Sequence, residues 1–446
     1  MEKTRKPALA YRLFKSYIRF YHDYVCYRKI YNVDTENVPP PGTPLLIVSN
    51  HQNGVSDPLG IVMSFRDRKP NVLTRADVFA LHPLANRFLR AIGLLPAFRI
   101  DHEGEESLGK NVDTFRMSEK AILDGETVAM YPEAGHQDKR WLGTFSYGYT
   151  KLAFEAAEMG NFEKEIFILP SCNHYSNYFG IRNDMMIRYG TPVSIAPYYE
   201  LYKTKPRTAQ REVNKLVRAQ IESLMLNITD LDNYEEIDFI RETYGAKLAP
   251  GASLPERLES DKRLVAKLAK AKEEDPEKAK KLYHDVYLLR NSIETLRISD
   301  RNLEQIPGKF ITSLKLMAAI LLFPVWVFTL WPSAIMYAVA YYFADVRMKD
   351  KMMESTFLIC LSVLFWIPLF AILTFVLAGI FISWWVAAAW VLLFPAIFIF
   401  AQNYASFVKR LKQDMASLKT KQFGNIINLR RLRRDIYRRL DKITGE

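Results

Sequence analysis

The sequence predicts an α/β domain, a helical region and C-terminal transmembrane helices, in that order. Between residues 39 and 200, short apolar runs alternate with helix-like stretches, which is typical of a sheet flanked by helices. Residues 201–312 are rich in Lys, Glu, Leu and Ala and carry few strand signals. Residues 313–402 contain uncharged stretches that are long enough to cross a bilayer.

Composition limits the class of protein. The 446 residues are enough for two or three domains, and the formal net charge is +12. No nucleic-acid-binding motif accompanies this charge, and the basic residues concentrate beside apolar segments. We therefore expect a lipid bilayer, and not nucleic acid, as the partner. The three cysteines are widely spaced, which predicts neither a disulfide framework nor a zinc site.

The N-terminal segment, residues 1–38, precedes the α/β domain. Within it, residues 8–31 place aromatic and basic side chains at helical spacing, which predicts an amphipathic helix. Such a helix suits a lipid interface or the surface of its own domain, and the sequence leaves both open. The first 12 residues carry charge without an apolar core, so no cleavable signal peptide is expected.

Six apolar runs in the α/β domain have the length of buried strands. They are residues 45–49, 70–75, 93–99, 127–131, 166–170 and 185–189, with helix-like stretches at 107–123 and 146–159. Several of these runs end on a polar or turn-forming residue. The carboxyl ends of strands are where open α/β sheets usually keep their active sites.

The membrane region, residues 313–402, precedes a basic tail, residues 403–446. The uncharged residues 316–344 contain two prolines, and we favour a re-entrant hairpin there over a single kinked span. Residues 356–402 are long enough for two spans, with a turn near residues 379–385. The positive-inside rule predicts that the tail is cytoplasmic. With these crossings, the protein is an integral membrane protein whose α/β domain also lies on the cytoplasmic face.

The first apolar run leads into the motif with the clearest chemistry. Leu45–Ser49 is followed by Asn50-His51, a glycine-containing turn and Asp57-Pro58. A histidine can remove a proton from a hydroxyl near neutral pH, and a carboxylate on its other ring nitrogen fixes the tautomer. An aspartate directly before a proline also fits a helix N-cap. The motif alone leaves a catalytic pair and a structural cap both open.

Three further blocks follow this motif in the chain. They are Gly93 through Arg99, Tyr131-Pro132-Glu133-Ala134-Gly135-His136, and the run that ends on Leu169-Pro170. Together with the first motif, they resemble the ordered blocks of the glycerolipid acyltransferases, which include glycerol-3-phosphate and lysophosphatidic acid acyltransferases. The resemblance covers about residues 40–195 and implies that family's α/β fold, a mixed sheet flanked by helices.

Two departures separate this chain from the family's pattern. Five residues lie between His51 and Asp57, where the family has four. In the third block, Ala134 stands in place of a glycine, and Gly135-His136 stands in place of a Thr-Arg pair. Arg140 either substitutes for that arginine or is a surface residue.

The resemblance implies a role for each matching residue. His51 would deprotonate an acceptor hydroxyl, and Asp57 would orient its ring. The candidate substrate-binding residues are Arg75, Arg99, Glu133 and Gly135, and the two arginines suit an acceptor phosphate because a guanidinium offers paired donors. Acyl-CoA or acyl carrier protein would be the co-substrate, with no metal or other cofactor. Four other histidines are expected to be structural or on the surface: His82, His102, His136 and His174.

Three functions fit these residues. The favoured one is a membrane-bound O-acyltransferase that moves a fatty acyl group from acyl-CoA or acyl-ACP to a hydroxyl of glycerol-3-phosphate or lysophosphatidic acid in phospholipid synthesis. A catalytically inactive membrane scaffold with the same fold is supported only by the two departures. An acyl-thioester hydrolase would leave Arg75 and Arg99 without a ligand.

Overall fold

A computed structural model gives the fold of the chain. It describes residues 9–75, 83, 86–87, 90, 93–97, 106–133, 135, 138–349, 352–359, 363, 367–422 and 425–446. The chain forms two compact units. The first runs to Leu226 and takes up a later segment, Ala340–Val363, and the second comprises Asn227–Val339 and Leu364–Glu446.

One sheet organises the first unit. Its strands are β1 (Tyr27–Val33), β2 (Leu45–Ser49), β3 (Asn71–Arg75), β4 (Leu94–Ala97), β5 (Thr127–Met130), β6 (Phe167–Tyr175), β7 (Asn183–Tyr189) and β8 (Val193–Ser194). Within the described residues, the strand order is β1-β7-β6-β2-β5-β3-β4, and β8 pairs with β6. β2 lies parallel to both β5 and β6, whereas β6 and β7 are antiparallel. The sheet is therefore mixed, as the family resemblance implies.

Helices cover the sheet and build the second unit. The first unit contains α1 (Leu9–Phe20), α2 (Ser56–Ser64), α3 (Glu106–Leu123), α4 (Gly148–Met159), α5 (Tyr199–Thr204) and α6 (Pro206–Leu224). The second begins with α7 (Tyr234–Leu248), α8 (Leu254–Glu274), α9 (Pro276–Leu296), α10 (Asp300–Glu304) and α11 (Lys309–Tyr341). After α12 (Met352–Ile359), which belongs to the first unit, α13 (Ile367–Phe381), α14 (Trp384–Gln422) and α15 (Asn425–Thr444) complete the second.

β2 is the central strand of the core. All five of its residues are buried, because neighbouring strands lie on both sides and side chains from α4 and α6 pack against its apolar residues. A strand that is buried in this way reads as a continuous apolar run rather than an alternating one. The bounds of β2 coincide with the predicted residues 45–49.

The N-terminal segment corrects one prediction. The helix ends at Phe20 rather than near residue 31, a π-helical turn follows, and residues 27–33 form β1. This strand pairs parallel to β7 at the edge of the sheet. Two ion pairs of 2.6 Å attach it there, from Arg28 to Asp184 and from Arg188 to Asp34. Contacts that are distant in sequence thus override the helical spacing.

Two other boundaries in the first unit differ from the predictions. β6 continues to Tyr175 instead of ending at Pro170, whose carbonyl accepts a hydrogen bond of 2.7 Å from the Gly190 amide. The compact unit extends to Leu226 rather than to residue 200. The reason is α6, whose apolar face is buried in the sheet's core cluster.

The membrane region contains helices in place of the favoured hairpin. α11 is one helix of 33 residues, so the prediction of a re-entrant hairpin at 316–344 is wrong, and Pro324 lies inside the helix without ending it. Among the described residues, Lys309–Leu330 and Trp384–Lys421 are long and apolar enough to cross a bilayer, which agrees with membrane association. α13 and α14 are separated by two residues inside the predicted turn.

Candidate active site

The site begins where β2 ends. Asn50, the next residue, is fully buried and fastened to β6 by two hydrogen bonds. Its side-chain amide donates to the Asn173 carbonyl at 3.1 Å, and its side-chain oxygen accepts from the Asn173 amide at 2.7 Å. The backbone that leads into His51 is therefore held at the carboxyl edge of the sheet.

His51 and Asp57 form a hydrogen-bonded pair. His51 Nδ1 lies 2.9 Å from Asp57 Oδ2, so the loop with five intervening residues still brings the two side chains together. The His51 side chain is 18% exposed, whereas that of Asp57 is fully buried. With Nδ1 on the carboxylate, the Nε2 edge of the ring is the one suited to exchange a proton with a bound molecule.

The Asp57 carboxylate accepts further hydrogen bonds. The amides of Gln52 and Asn53 donate to Oδ2 at 2.7 and 2.8 Å, and the Tyr175 hydroxyl donates to Oδ1 at 2.6 Å. Burial and the neighbouring Asp57 carboxylate hold the pKa of Tyr175 well above its usual value, so its hydroxyl remains a donor. α2 begins at Ser56, and both carboxylate oxygens bind groups outside that helix. The helix-cap interpretation of Asp57 is therefore wrong.

Glu133 fixes the backbone of the site. Its Oε1 accepts from the His51 amide at 2.8 Å, and its Oε2 accepts from the Gly143 amide at 2.7 Å. Burial raises the pKa of Glu133, and these two amides oppose the rise. The Glu133 side chain therefore connects the segment that follows β5 to the backbone of His51 and Gly143.

Aromatic residues and a buried arginine surround the pair. The Tyr131 ring lies against His51, with 4.8 Å between the ring centroids. Arg140 is only 3% exposed, so the surface interpretation of this residue is wrong. Two of its nitrogens lie 3.2 Å from the Tyr175 carbonyl, and its guanidinium lies over the Tyr178 ring. The Tyr178 hydroxyl in turn donates to the Gln52 side chain.

The other predicted residues are placed less completely. Arg75 is the last residue of β3 and pairs in register with Ala97 of β4, at the same carboxyl edge as His51, but its side chain lies outside the described residues. Arg99 also lies outside them, as do three of the histidines: His82, His102 and His136. Gly135 is exposed, and His174 is buried, as expected for a structural histidine.

Sequence reasoning missed Tyr175 and Asn173. Both come from the part of β6 beyond Pro170, where the sequence predicts no strand. Their only sequence signal is that the polar run from Ser171 to Tyr175 follows an apolar strand directly. Within the described parts of the chain, no group of three or more His, Cys, Asp or Glu side chains has the arrangement of a metal site.

Comparisons with known proteins give one family. Residues 29–173 match the family model described as Acyltransferase. No curated protein matches the chain. Among solved structures, the chain is similar to the 1-acyl-sn-glycerophosphate (LPA) acyltransferase PlsC from Thermotoga maritima, with a TM-score of 0.33 and 13% sequence identity, over 46% of this chain and 79% of that chain.

The raised pKa of Glu133 predicts a pH-dependent contribution to stability. A carboxyl whose pKa is raised by folding binds more protons in the folded state, so its contribution to the free energy of unfolding falls as pH rises through that pKa. We expect the stability of Glu133→Gln, relative to the parent protein, to increase between pH 4 and pH 7. Unfolding midpoints in detergent measure this, and Glu163→Gln, at an exposed position, controls for the loss of a charge. A relative stability that decreases over this range would contradict the prediction.

Proposed function

We propose that the protein moves a fatty acyl group from a thioester to a hydroxyl of a phosphate-bearing glycerolipid precursor. The match of residues 29–173 to the family model described as Acyltransferase supports this proposal. The acceptor would be glycerol-3-phosphate or lysophosphatidic acid, and the donor acyl-CoA or acyl-ACP, as in phospholipid synthesis. The observation that carries the proposal is the 2.9 Å hydrogen bond between His51 and the buried Asp57 at the carboxyl edge of the sheet.

The reaction uses His51 twice. Its Nε2 removes the proton from the acceptor hydroxyl as the oxygen attacks the thioester carbonyl, and Asp57 stabilises the imidazolium that forms. When the tetrahedral intermediate collapses, the C–S bond breaks and the leaving thiolate takes the proton from the imidazolium. The products are the ester and the free thiol of the carrier, with no net change in protonation of the enzyme.

Two arginines would bind the acceptor phosphate. Arg75 ends β3, and the adjacent parallel strand β4 ends at Ala97, two residues before Arg99. The ends of both strands lie at the edge of the sheet that carries His51, because β3, β4, β5 and β2 all run parallel. Guanidinium groups suit a phosphate through paired hydrogen bonds.

Glu133 and Gly135 would complete the site through the backbone. Glu133 holds the His51 amide, so it would act on the substrate by fixing the position of the base. Among the described residues, a Cβ at Gly135 would meet no other atom within 4 Å. The exposed backbone there is open to an approaching substrate, and its amide would stabilise the oxyanion of the tetrahedral intermediate.

We also propose that the acyltransferase domain faces the cytoplasm on an integral membrane protein. Residues 340–363 belong to the same compact unit as the sheet, so in this proposal α11 lies at the membrane without crossing it fully. Two apolar helices follow, α13 and the first half of α14, and two residues connect them. They would cross the bilayer in opposite directions and return the chain to the side of the acyltransferase domain. The basic tail then follows, and the positive-inside rule favours a cytoplasmic tail.

Substitution of His51 tests the chemistry. We expect His51→Ala to lower acyl transfer by about 10²–10⁴-fold, because a positioned general base contributes that much, and Asp57→Asn to lower it in the same direction. Transfer of a radiolabelled acyl group from acyl-CoA to each acceptor is the measurement. His284→Ala, at an exposed histidine, is the matched control. Undiminished transfer by His51→Ala would refute the mechanism, and free fatty acid as the sole product of the parent protein would indicate a hydrolase.

The two arginines should control acceptor binding. Arg75→Ala and Arg99→Ala are each expected to raise the KM for the acceptor about tenfold or more, which corresponds to the loss of one charge-assisted contact of about 1.5–3 kcal/mol. The KM for the acyl donor should change little. Arg211→Ala, at an exposed arginine of α6, provides the control. An acceptor KM that stays at the parent value would remove that arginine from the role.

Labelling of introduced cysteines tests the orientation. We expect an impermeant thiol reagent to modify Glu165→Cys in the acyltransferase domain and Arg438→Cys in the tail only when the cytoplasmic face is accessible. Both positions are exposed in the structure. Oriented membrane vesicles with labelling from either side provide the measurement. Modification of the two cysteines from opposite sides would contradict the proposed topology.

A further inference from the structure

The short helix α12 contacts the loop between His51 and Asp57. Two adjacent hydroxyl side chains of α12, Ser355 and Thr356, are 2% and 4% exposed. The Ser355 hydroxyl donates to the Asn53 side-chain oxygen at 2.9 Å, and the Val55 amide donates to the Thr356 hydroxyl at 3.1 Å. Buried polar side chains form hydrogen bonds within the protein, and here both hydroxyls bind the same loop.

Gly54 lies between these two hydrogen bonds and completes the contact. A Cβ added at this position would overlap the Thr356 hydroxyl oxygen, and the φ of Gly54 is +21°. The loop backbone therefore approaches α12 as closely as only a glycine allows. Three consecutive loop residues, Asn53 to Val55, are fitted to two consecutive residues of the helix.

The same loop holds the Asp57 carboxylate. The Asn53 amide donates to Asp57 Oδ2 at 2.8 Å, while its side chain donates to the Tyr178 carbonyl at 3.0 Å and accepts from Ser355. Asn53 therefore contacts both the Asp57 carboxylate, through its backbone amide, and α12, through its side chain. A displacement of α12 would move the amides that fix this carboxylate.

We propose that Ser355 and Thr356 are positioning residues for the His51–Asp57 pair, an inference that rests on the proposed function. α12 lies in the sequence between two apolar helices, α11 and α13. The loop between His51 and Asp57 therefore contacts a segment that is connected to an apolar helix at each of its two ends. The contact also explains why five residues separate His51 from Asp57, because the middle of this loop, residues 53–55, contacts α12.

This arrangement predicts an effect on turnover and not on substrate binding. The loop fixes the base and its carboxylate, whereas the proposed phosphate ligands are Arg75, which ends β3, and Arg99, which follows β4 in the sequence. We expect Thr356→Val, which removes the hydrogen-bond acceptor at nearly constant volume, to lower kcat about tenfold, while the KM values for donor and acceptor stay within about twofold. Thr356→Ser, which keeps the hydroxyl, should restore kcat to within about twofold of the parent value.

The experiment uses the full-length protein in lipid or detergent, with acyl-CoA as donor and lysophosphatidic acid as acceptor. Thr420→Val is the matched control, because Thr420 is 6% exposed and its hydroxyl donates to the Ala416 carbonyl of its own helix. Parent-like kcat in Thr356→Val would overturn the inference. A loss that Thr356→Ser does not rescue, with both KM values raised, would show that α12 merely supports folding and would overturn it equally.

A second measurement requires no turnover. Diethylpyrocarbonate modifies histidine rings, and mass spectrometry gives the rate for each residue. We expect Thr356→Val to change the modification rate of His51 severalfold and to leave that of the exposed His284 unchanged. If no acceptor is acylated by the parent protein, the proposed function fails, yet a changed His51 rate would still support the contact. An unchanged His51 rate would overturn the inference whatever the activity.

Discussion

The structure of the site depends on a carboxylate that has no access to water. Asp57 is fully buried, and a buried carboxylate is tolerated only when hydrogen-bond donors surround it. Its donors are the His51 ring, the amides of Gln52 and Asn53, and the Tyr175 hydroxyl. They come from the end of β2, the following loop and the end of β6. These three parts must therefore be in register before the carboxylate is satisfied, so the pair that would perform the chemistry is also a condition of folding.

Much of this arrangement follows from local signals. A continuous apolar run predicts β2 with its observed bounds, because burial on both faces leaves no alternation. The same run predicts that His51 lies at the carboxyl edge of the sheet. The proline after Asp57 correctly indicates a helix there, although that helix begins at Ser56, two residues before the proline. The ordered motifs also predict an acyltransferase domain, and residues 29–173 match the family model described as Acyltransferase.

The remaining features depend on contacts between distant parts of the chain. β1 reads as a helix because its spacing is ambiguous, and only its pairing and ion pairs with β7 decide the outcome. Tyr175 lies beyond a proline that normally suggests the end of a strand, and Arg140 gives no sign in the sequence that it is buried. α12 overlaps the start of the uncharged residues 356–402, which predict membrane spans, so the sequence gives its hydroxyls no separate role. No local pattern indicates that they meet a loop near the N-terminus.

The contact between Asn53 and Ser355 joins residues that are 302 positions apart. At a synthesis rate of about 5–20 residues per second, about 15–60 s separate the appearance of the two side chains. During that interval the ribosome produces the whole of α11, the first long apolar helix. The loop can receive its last hydrogen bonds only after this helix has been synthesised. Completion of the hydrogen bonds around the His51–Asp57 pair thus waits for synthesis of a helix, α12, whose Ser355 lies 302 residues further along the chain than Asn53.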